Sequence, residues 1–207
     1  MGAWGSYKEK KLKLGVLGST RGTDLQAIID AINNGQLNCE ICLVVSDKKD
    51  AYILERAKLN NINTIFVDYS SFPERKDAEE VIVSELKKKN VDLILLIGFM
   101  KILSPFFVQS FKGRIWNVHP SLLPKYAGAM NLNVYEMVLK NRDKETGCTL
   151  HEVNEIVDGG KIILQKKVIV EKNDNVETLK KKVQKAEQEC LLEALKMVID
   201  GKIVLGA

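Results

Sequence analysis

Short apolar runs alternate along this chain with longer stretches in which apolar residues recur every three or four positions. Residues 14–17 are apolar and end in Gly18-Ser-Thr-Arg-Gly22. Leu25, Ile28, Ile29 and Ile32 follow at the spacing of one helix face, and Gly35 closes that helix. A second apolar run covers 41–45, and a helical pattern through Ala51, Ile53, Leu54 and Ala57 comes next. A short strand over 64–67, a helix after Pro73 carried by Ala78, Val81, Ile82 and Leu86, and an apolar run over 93–97 complete the first half. Strands apolar throughout, alternating with amphipathic helices, predict an α/β architecture with a mostly parallel twisted sheet and helices on both faces.

Beyond Ile115 the pattern loosens. Residues 117–129 hold two of the four prolines and predict an extended loop. A helix over 134–139, strands over 148–153 and 162–170, and a long amphipathic helix over 176–199 follow. No repeat, low-complexity stretch or linker interrupts the chain, so a single domain over 1–207 is expected, with 1–11 a flexible N-terminal extension. Open α/β sheets bind ligands at the carboxyl ends of their strands. Three segments distant in sequence, 18–24, 99–103 and 117–124, are therefore expected to converge.

A chain of 207 residues can bury about 70% of its unfolded surface without staples or metal. Its net charge of +4 comes from 31 basic and 27 acidic residues. The lysines fall in separate segments (8–13, 87–89, 180–182) and aromatics are only 6%, which argues against a nucleic-acid partner. A mild positive field still favours small anionic substrates. No apolar run approaches the roughly 20 residues that span a bilayer, and the N-terminus carries no secretory signal. A cytoplasmic protein with reduced thiols, monomeric or homodimeric and without a membrane partner, is expected. Cys39-Glu-Ile-Cys42 has no second pair to complete a zinc site and reads as strand packing, so no metal is expected.

The turn at Gly18 to Gly22 leaves a strand and enters a helix, where backbone N–H groups can meet a phosphate. It is neither GxGxxG nor a Walker loop, and a plain tight turn with Thr23 or Asp24 as N-cap explains it too. Asn117 and His119, two apart, face the same side in extended chain. An amide donor beside an imidazole suits a carbonyl that becomes a tetrahedral oxyanion. His151, inside an apparent strand, reads as a core histidine, and Asp158 before Gly159-Gly160 as a turn residue. No GxSxG elbow or other nucleophile triad is present.

Gly98-Phe-Met-Lys-Ile-Leu-Ser104, Asn117-Val-His-Pro-Ser-Leu-Leu-Pro-Lys125, Thr149-Leu-His-Glu-Val153, Val157-Asp-Gly-Gly160 and Ile162-Ile-Leu-Gln165 occur in this order. With these motifs the chain resembles, over residues 12–205, the phosphoribosylglycinamide formyltransferases. The resemblance implies a Rossmann-like formyltransferase fold. It also implies transfer of a formyl group from the cosubstrate 10-formyltetrahydrofolate to the amine of glycinamide ribonucleotide in de novo purine synthesis, with neither covalent intermediate nor metal. Asn117, His119 and Asp158 would be catalytic, Asn117 and protonated His119 stabilising the oxyanion. Folate contacts are implied for Arg75, Met100, Lys101, Ile102, Leu103, Asn117, Asn154, Glu155, Ile156 and Val157. Ribonucleotide contacts are implied for Arg21, Gly22, Thr23, Asp24, Gln184 and Glu187.

Three departures stand out. Ser19-Thr-Arg-Gly-Thr-Asp24 replaces the family's usual Ser-Gly-x-Gly-Ser-Asn, putting a carboxylate where an amide is usual; Arg21 is expected to offset it, with Asp24 folding back onto the helix N–H groups. Lys101 stands where arginine is common, losing a bidentate fork. The stretch 129–135 is longer than usual. All three weaken the acceptor more than the donor, so alternatives stay open: a related formyltransferase with another amine acceptor, or a non-catalytic folate- or nucleotide-binding protein. The additional domains of the methionyl-tRNA enzymes and of formyltetrahydrofolate hydrolase are not expected.

Overall fold

The structure, a computed structural model, describes residues 10–129 and 134–206. Most of the extension expected over 1–11, and the core of the lengthened stretch 129–135, lie outside the described residues. In chain order the elements are β1 (Leu12–Leu17), α1 (Thr23–Asn33), β2 (Cys39–Ser46), α2 (Tyr52–Leu59), β3 (Thr64–Phe66), a 3-10 turn at Tyr69–Ser71, α3 (Arg75–Lys88), β4 (Leu93–Leu96), α4 (Pro105–Ser110), β5 (Ile115–His119), α5 (Val134–Lys140), β6 (Glu145–Glu152), β7 (Ile162–Ile169) and α6 (Val176–Ile199).

The seven strands form one sheet in the order β3-β2-β1-β4-β5-β6-β7. The first five in that order are parallel. β6 runs antiparallel to β5, and β7 to β6. The sheet is mostly parallel, as expected, but the connection between β6 and β7 is too short for a crossover helix, so that pair is antiparallel. Strand order reverses between β1 and β4: β2 and β3 build outward on one side, β4 and β5 on the other. The loops leaving β1 and β4 part there and open a crevice.

Leu14 and Val16 of β1 and Leu93 and Leu95 of β4 pack under α1, α2 and α6, whereas Leu17, Ile94 and Leu96 pack under α3 and α4. Burial on both faces is why these strands read as continuous apolar runs. Two local expectations change. β5 extends through His119, so Asn117 and His119 sit on a strand rather than in a loop. The N-cap of α1 is Gly22, at φ 65° and without a side-chain cap, so neither Thr23 nor Asp24 caps that helix. A Cβ on Gly22 would stand 2.5 Å from Ile53 Cγ1, which reserves the position for glycine. All four cysteines are buried and free. Among the described residues no helix is long and apolar enough to cross a membrane.

Candidate active site

β5 delivers Asn117 and His119 to the carboxyl edge of the sheet on one side of the strand. His119 is buried; its Nδ1 lies 3.4 Å from Asp158 Oδ2, and its Nε2 3.2 Å from the Tyr126 carbonyl oxygen. The other Asp158 oxygen lies 3.5 Å from His151 Nε2, which is also 3.1 Å from Asn117 Nδ2. His151 Nδ1 faces the Glu152 carbonyl at 2.9 Å, so donation there leaves Nε2 to accept from the Asn117 amide. Asn117, His119 and Asp158 thus come together, as expected. His151 joins them: it is buried, as a core histidine would be, yet it holds the amide of Asn117. The pairing of Asn117 with His151 across β5 and β6 places it there.

Local chain geometry fixes the rest. Asp158 adopts φ 53°, and a Cβ on Gly160 would meet the Glu152 carbonyl at 1.7 Å, so the turn is pressed against the end of β6. The Gly128 N–H donates to Asp158 Oδ2 at 2.8 Å. Residues 120–128 are held in place by Thr149, whose hydroxyl donates to the Ser121 carbonyl (2.7 Å) and accepts from the Leu123 N–H (2.9 Å). Gln165 Nε2 adds a bond to the Leu123 carbonyl (3.0 Å). Those bonds present the Tyr126 carbonyl and the Gly128 N–H to the cluster.

Burial pushes the Asp158 carboxyl up, but His151 beside it, the Gly128 N–H and the His119 imidazole together outweigh burial and leave the group below its ordinary value. Burial holds His119 below its ordinary 6.5; Asp158 opposes this and His151 adds to it. The ligand-free ring therefore favours the neutral form at pH 7, because burial disfavours its charge more than Asp158 favours it.

Beside the cluster opens a cleft of about 280 Å3. Its wall includes His119, Asn117 and Asp158, the strand-end residues Met100, Lys101, Ile102 and Leu103, and the loop residues Asn154, Glu155, Ile156 and Val157. Asn154 shapes that loop by accepting from the Ile156 N–H (2.9 Å). Arg75 is not on the wall; its Nη1 donates to the Ile102 carbonyl from behind (3.0 Å). The cleft also includes Ala129, Val134 and Tyr135, which sequence reasoning did not single out.

Arg21, Gly22, Thr23, Asp24, Gln184 and Glu187 do not line this cleft. Arg21 is exposed. Asp24 and Glu187 are 7% and 8% exposed, and Asp24 Oδ1 is buried without a hydrogen-bond partner. Burial pushes the Asp24 carboxyl up to about 7. Burial, and then the charge of Asp24, push Glu187 well above its ordinary value. Tyr135, on the cleft wall, feels both carboxyls.

The sequence profile of the formyl transferase family matches residues 12–195. Phosphoribosylglycinamide formyltransferase of Haemophilus influenzae is 42% identical over 93% of this chain and 90% of its own. The chain belongs to the phosphoribosylglycinamide formyltransferase family. The human trifunctional purine biosynthetic protein adenosine-3 is 37% identical over 97% of this chain, which spans 20% of that longer protein. Among solved structures, glycinamide ribonucleotide transformylase 1 of Symbiobacterium toebii superposes with a TM-score of 0.88 at 35% identity, covering 94% of this chain and 91% of its own. The chain is accordingly an enzyme of formyl transfer, built on the fold of that family.

Proposed function

We propose that this chain moves the formyl group of 10-formyltetrahydrofolate onto the amine of glycinamide ribonucleotide in purine biosynthesis, and that Asn117, His119 and Asp158 carry the chemistry. The observation that carries the reading is the placement of these three at the head of a cleft walled by strand-end backbone and apolar side chains. The backbone N–H and C=O groups of Lys101 and Leu103 bond no protein group among the described residues, which leaves paired donors and acceptors for a pterin. Exposed Met100, Ile102, Ile156 and Val157 supply apolar contact.

The amine nitrogen forms the new C–N bond as the formyl C=O pair moves onto oxygen. Asn117 donates to that oxygen. Neutral His119, its Nε2–H held by the Tyr126 carbonyl, takes the proton lost by the attacking nitrogen at Nδ1, and the resulting imidazolium, supported by Asp158, lends its positive charge to the oxyanion. Collapse re-forms C=O and breaks the bond to the folate nitrogen, which receives that proton through water. The transfer is direct, so a chelator should leave the rate unchanged. The residues proposed for the ribonucleotide lie outside the cleft, on the side of α1 and α6. Incubation with 10-formyltetrahydrofolate and separate acceptor amines tests the reading. Deformylation only with glycinamide ribonucleotide is expected; turnover only with another nucleotide amine, or with none, would overturn it.

A further inference from the structure

One wall of the cleft, residues 98–103, and Ser104 just after it are fastened at three points. Ser19 Oγ donates to Asp47 Oδ1 (2.5 Å) and accepts from the Met100 N–H (2.9 Å). Arg75 Nη1 donates to the Ile102 carbonyl (3.0 Å). Glu79 is wholly buried and accepts twice from Ser104, from its N–H at 3.0 Å and from its hydroxyl in a short contact. Arg75 and Glu79 are four apart on α3 and so share a face.

Glu79 is not needed to seat the helix. Ala78, Ile82, Val83 and Leu86 already bury the inner face of α3, and an apolar side chain at 79 would avoid the cost of burying a carboxyl. What the carboxyl adds is a two-point hold on Ser104. That residue is the hinge between wall and helix, because its Oγ also accepts from the Phe107 N–H (3.3 Å) and caps α4. Loss of the hold would free the end of the wall nearest Leu103 while Ser19 still grips Met100.

We propose that Glu79 is a positioning residue for the folate: through Ser104 it fixes residues 100–103 so that the free backbone groups of Lys101 and Leu103 meet the ligand in one geometry. The inference rests on the reading of the cleft as the folate site. Glu79→Gln keeps the volume but replaces one of the two acceptor oxygens with an NH2, so it can no longer accept from both the N–H and the hydroxyl of Ser104. With glycinamide ribonucleotide saturating, this variant should raise the KM for 10-formyltetrahydrofolate by about tenfold or more, the loss expected when a buried acceptor is mismatched. Its kcat should stay within about twofold, because the reacting groups are untouched. The Kd for glycinamide ribonucleotide, by calorimetry, should not move.

A merely structural role would instead reduce the amount of active enzyme, lowering kcat at unchanged KM, and that result overturns the proposal. Ser104→Ala, which removes one of the two bonds, should give a smaller rise in KM. If Glu79→Gln does not fold, an unchanged KM in Ser104→Ala overturns the proposal by itself. Amide exchange over residues 100–104 gives a reading independent of turnover: it should quicken in either variant, and unchanged exchange overturns the clamp. Wild type that transfers no formyl group to any acceptor would sink the proposed function, leaving the clamp to be judged on exchange.

Discussion

Asp24 keeps its proton to higher pH than an ordinary aspartate because α1 and α6 hold it and Glu187 together out of water. Its carboxyl is pushed from 3.8 up to about 7. Between those values the unfolded chain has released the proton and the folded chain has not. Asp24's contribution to the stability of the ligand-free protein therefore falls as pH rises from about 4 to about 7, by about 1.4 kcal/mol per pH unit at most. Asp24→Asn should raise the melting temperature more at pH 8 than at pH 5, and an equal effect at both would refute the shifted carboxyl. Removal of the Asp158 charge, in Asp158→Asn, should move the NMR titration of His119 to still lower pH, because that charge is what favours its protonation; an upward move would contradict the pairing. His119→Ala and Asn117→Ala should each lower kcat by about a hundred- to a thousand-fold. A loss below tenfold in either would remove that residue from the chemistry. Asn117 and His119 were legible in sequence because a spacing of two on an extended segment is a local property. His151 was not, since its role depends on its pairing across two strands, and the burial of Asp24 was not, since a helix at the far end of the chain covers it.

Elements were readable where a period had room to repeat. α1, α3 and α6 run for several turns and announce themselves, and β1 and β4 are apolar throughout because both faces are covered. α4 spans only Pro105–Ser110, too short for a periodic signal, although Ser104-Pro105 is a sound start. The direction of β6 and β7 was not read from the sequence, although β7 alternates exposed and half-buried positions and the connection over 153–161 is too short for a crossover helix. That pair nonetheless shapes the site, since β6 brings Thr149 under the segment 120–128 and the β6–β7 loop brings Asp158 back to His119. Thr149→Val keeps the shape but leaves the Leu123 N–H and the Ser121 carbonyl without their buried partner. It should destabilise the protein by about 1–3 kcal/mol in urea unfolding and also lower kcat, as the Gly128 N–H that orients Asp158 shifts. A stability loss with kcat unchanged would mean that the segment only caps the sheet.

At the scale of the molecule, the reversal of strand order between β1 and β4 puts two kinds of surface side by side. The cleft proper is walled by residues 98–103 and 154–158, while Arg21 to Asp24, Gln184 and Glu187 lie outside it around the start of α1 and the facing turn of α6. Tyr135 touches both regions, lining the cleft and feeling Asp24 and Glu187. If donor and acceptor enter from these two sides, their affinities should be separable. Arg21 is the charge the acceptor side offers: it is exposed, its guanidinium has no ion-pair partner among the described residues, and its carbonyl is anchored by Arg56 Nε at 2.7 Å. Asp24, buried and with its carboxyl pushed up to about 7, does not confront an incoming phosphate there as a free carboxylate would, and it does not fold back to cap the helix. Arg21→Ala should then weaken glycinamide ribonucleotide by about tenfold, the value of one charge-assisted contact, and leave the Kd for 10-formyltetrahydrofolate unchanged. Combined with Glu79→Gln, which acts on the folate side, each ligand should lose only what its own single variant loses, since sites without shared partners do not couple. Calorimetric titration of both single variants and the double variant with each ligand decides it. An Arg21→Ala protein that binds ribonucleotide as tightly as wild type would remove the charge from the acceptor site. A larger loss for either ligand in the double variant would mean that the two sides move as one.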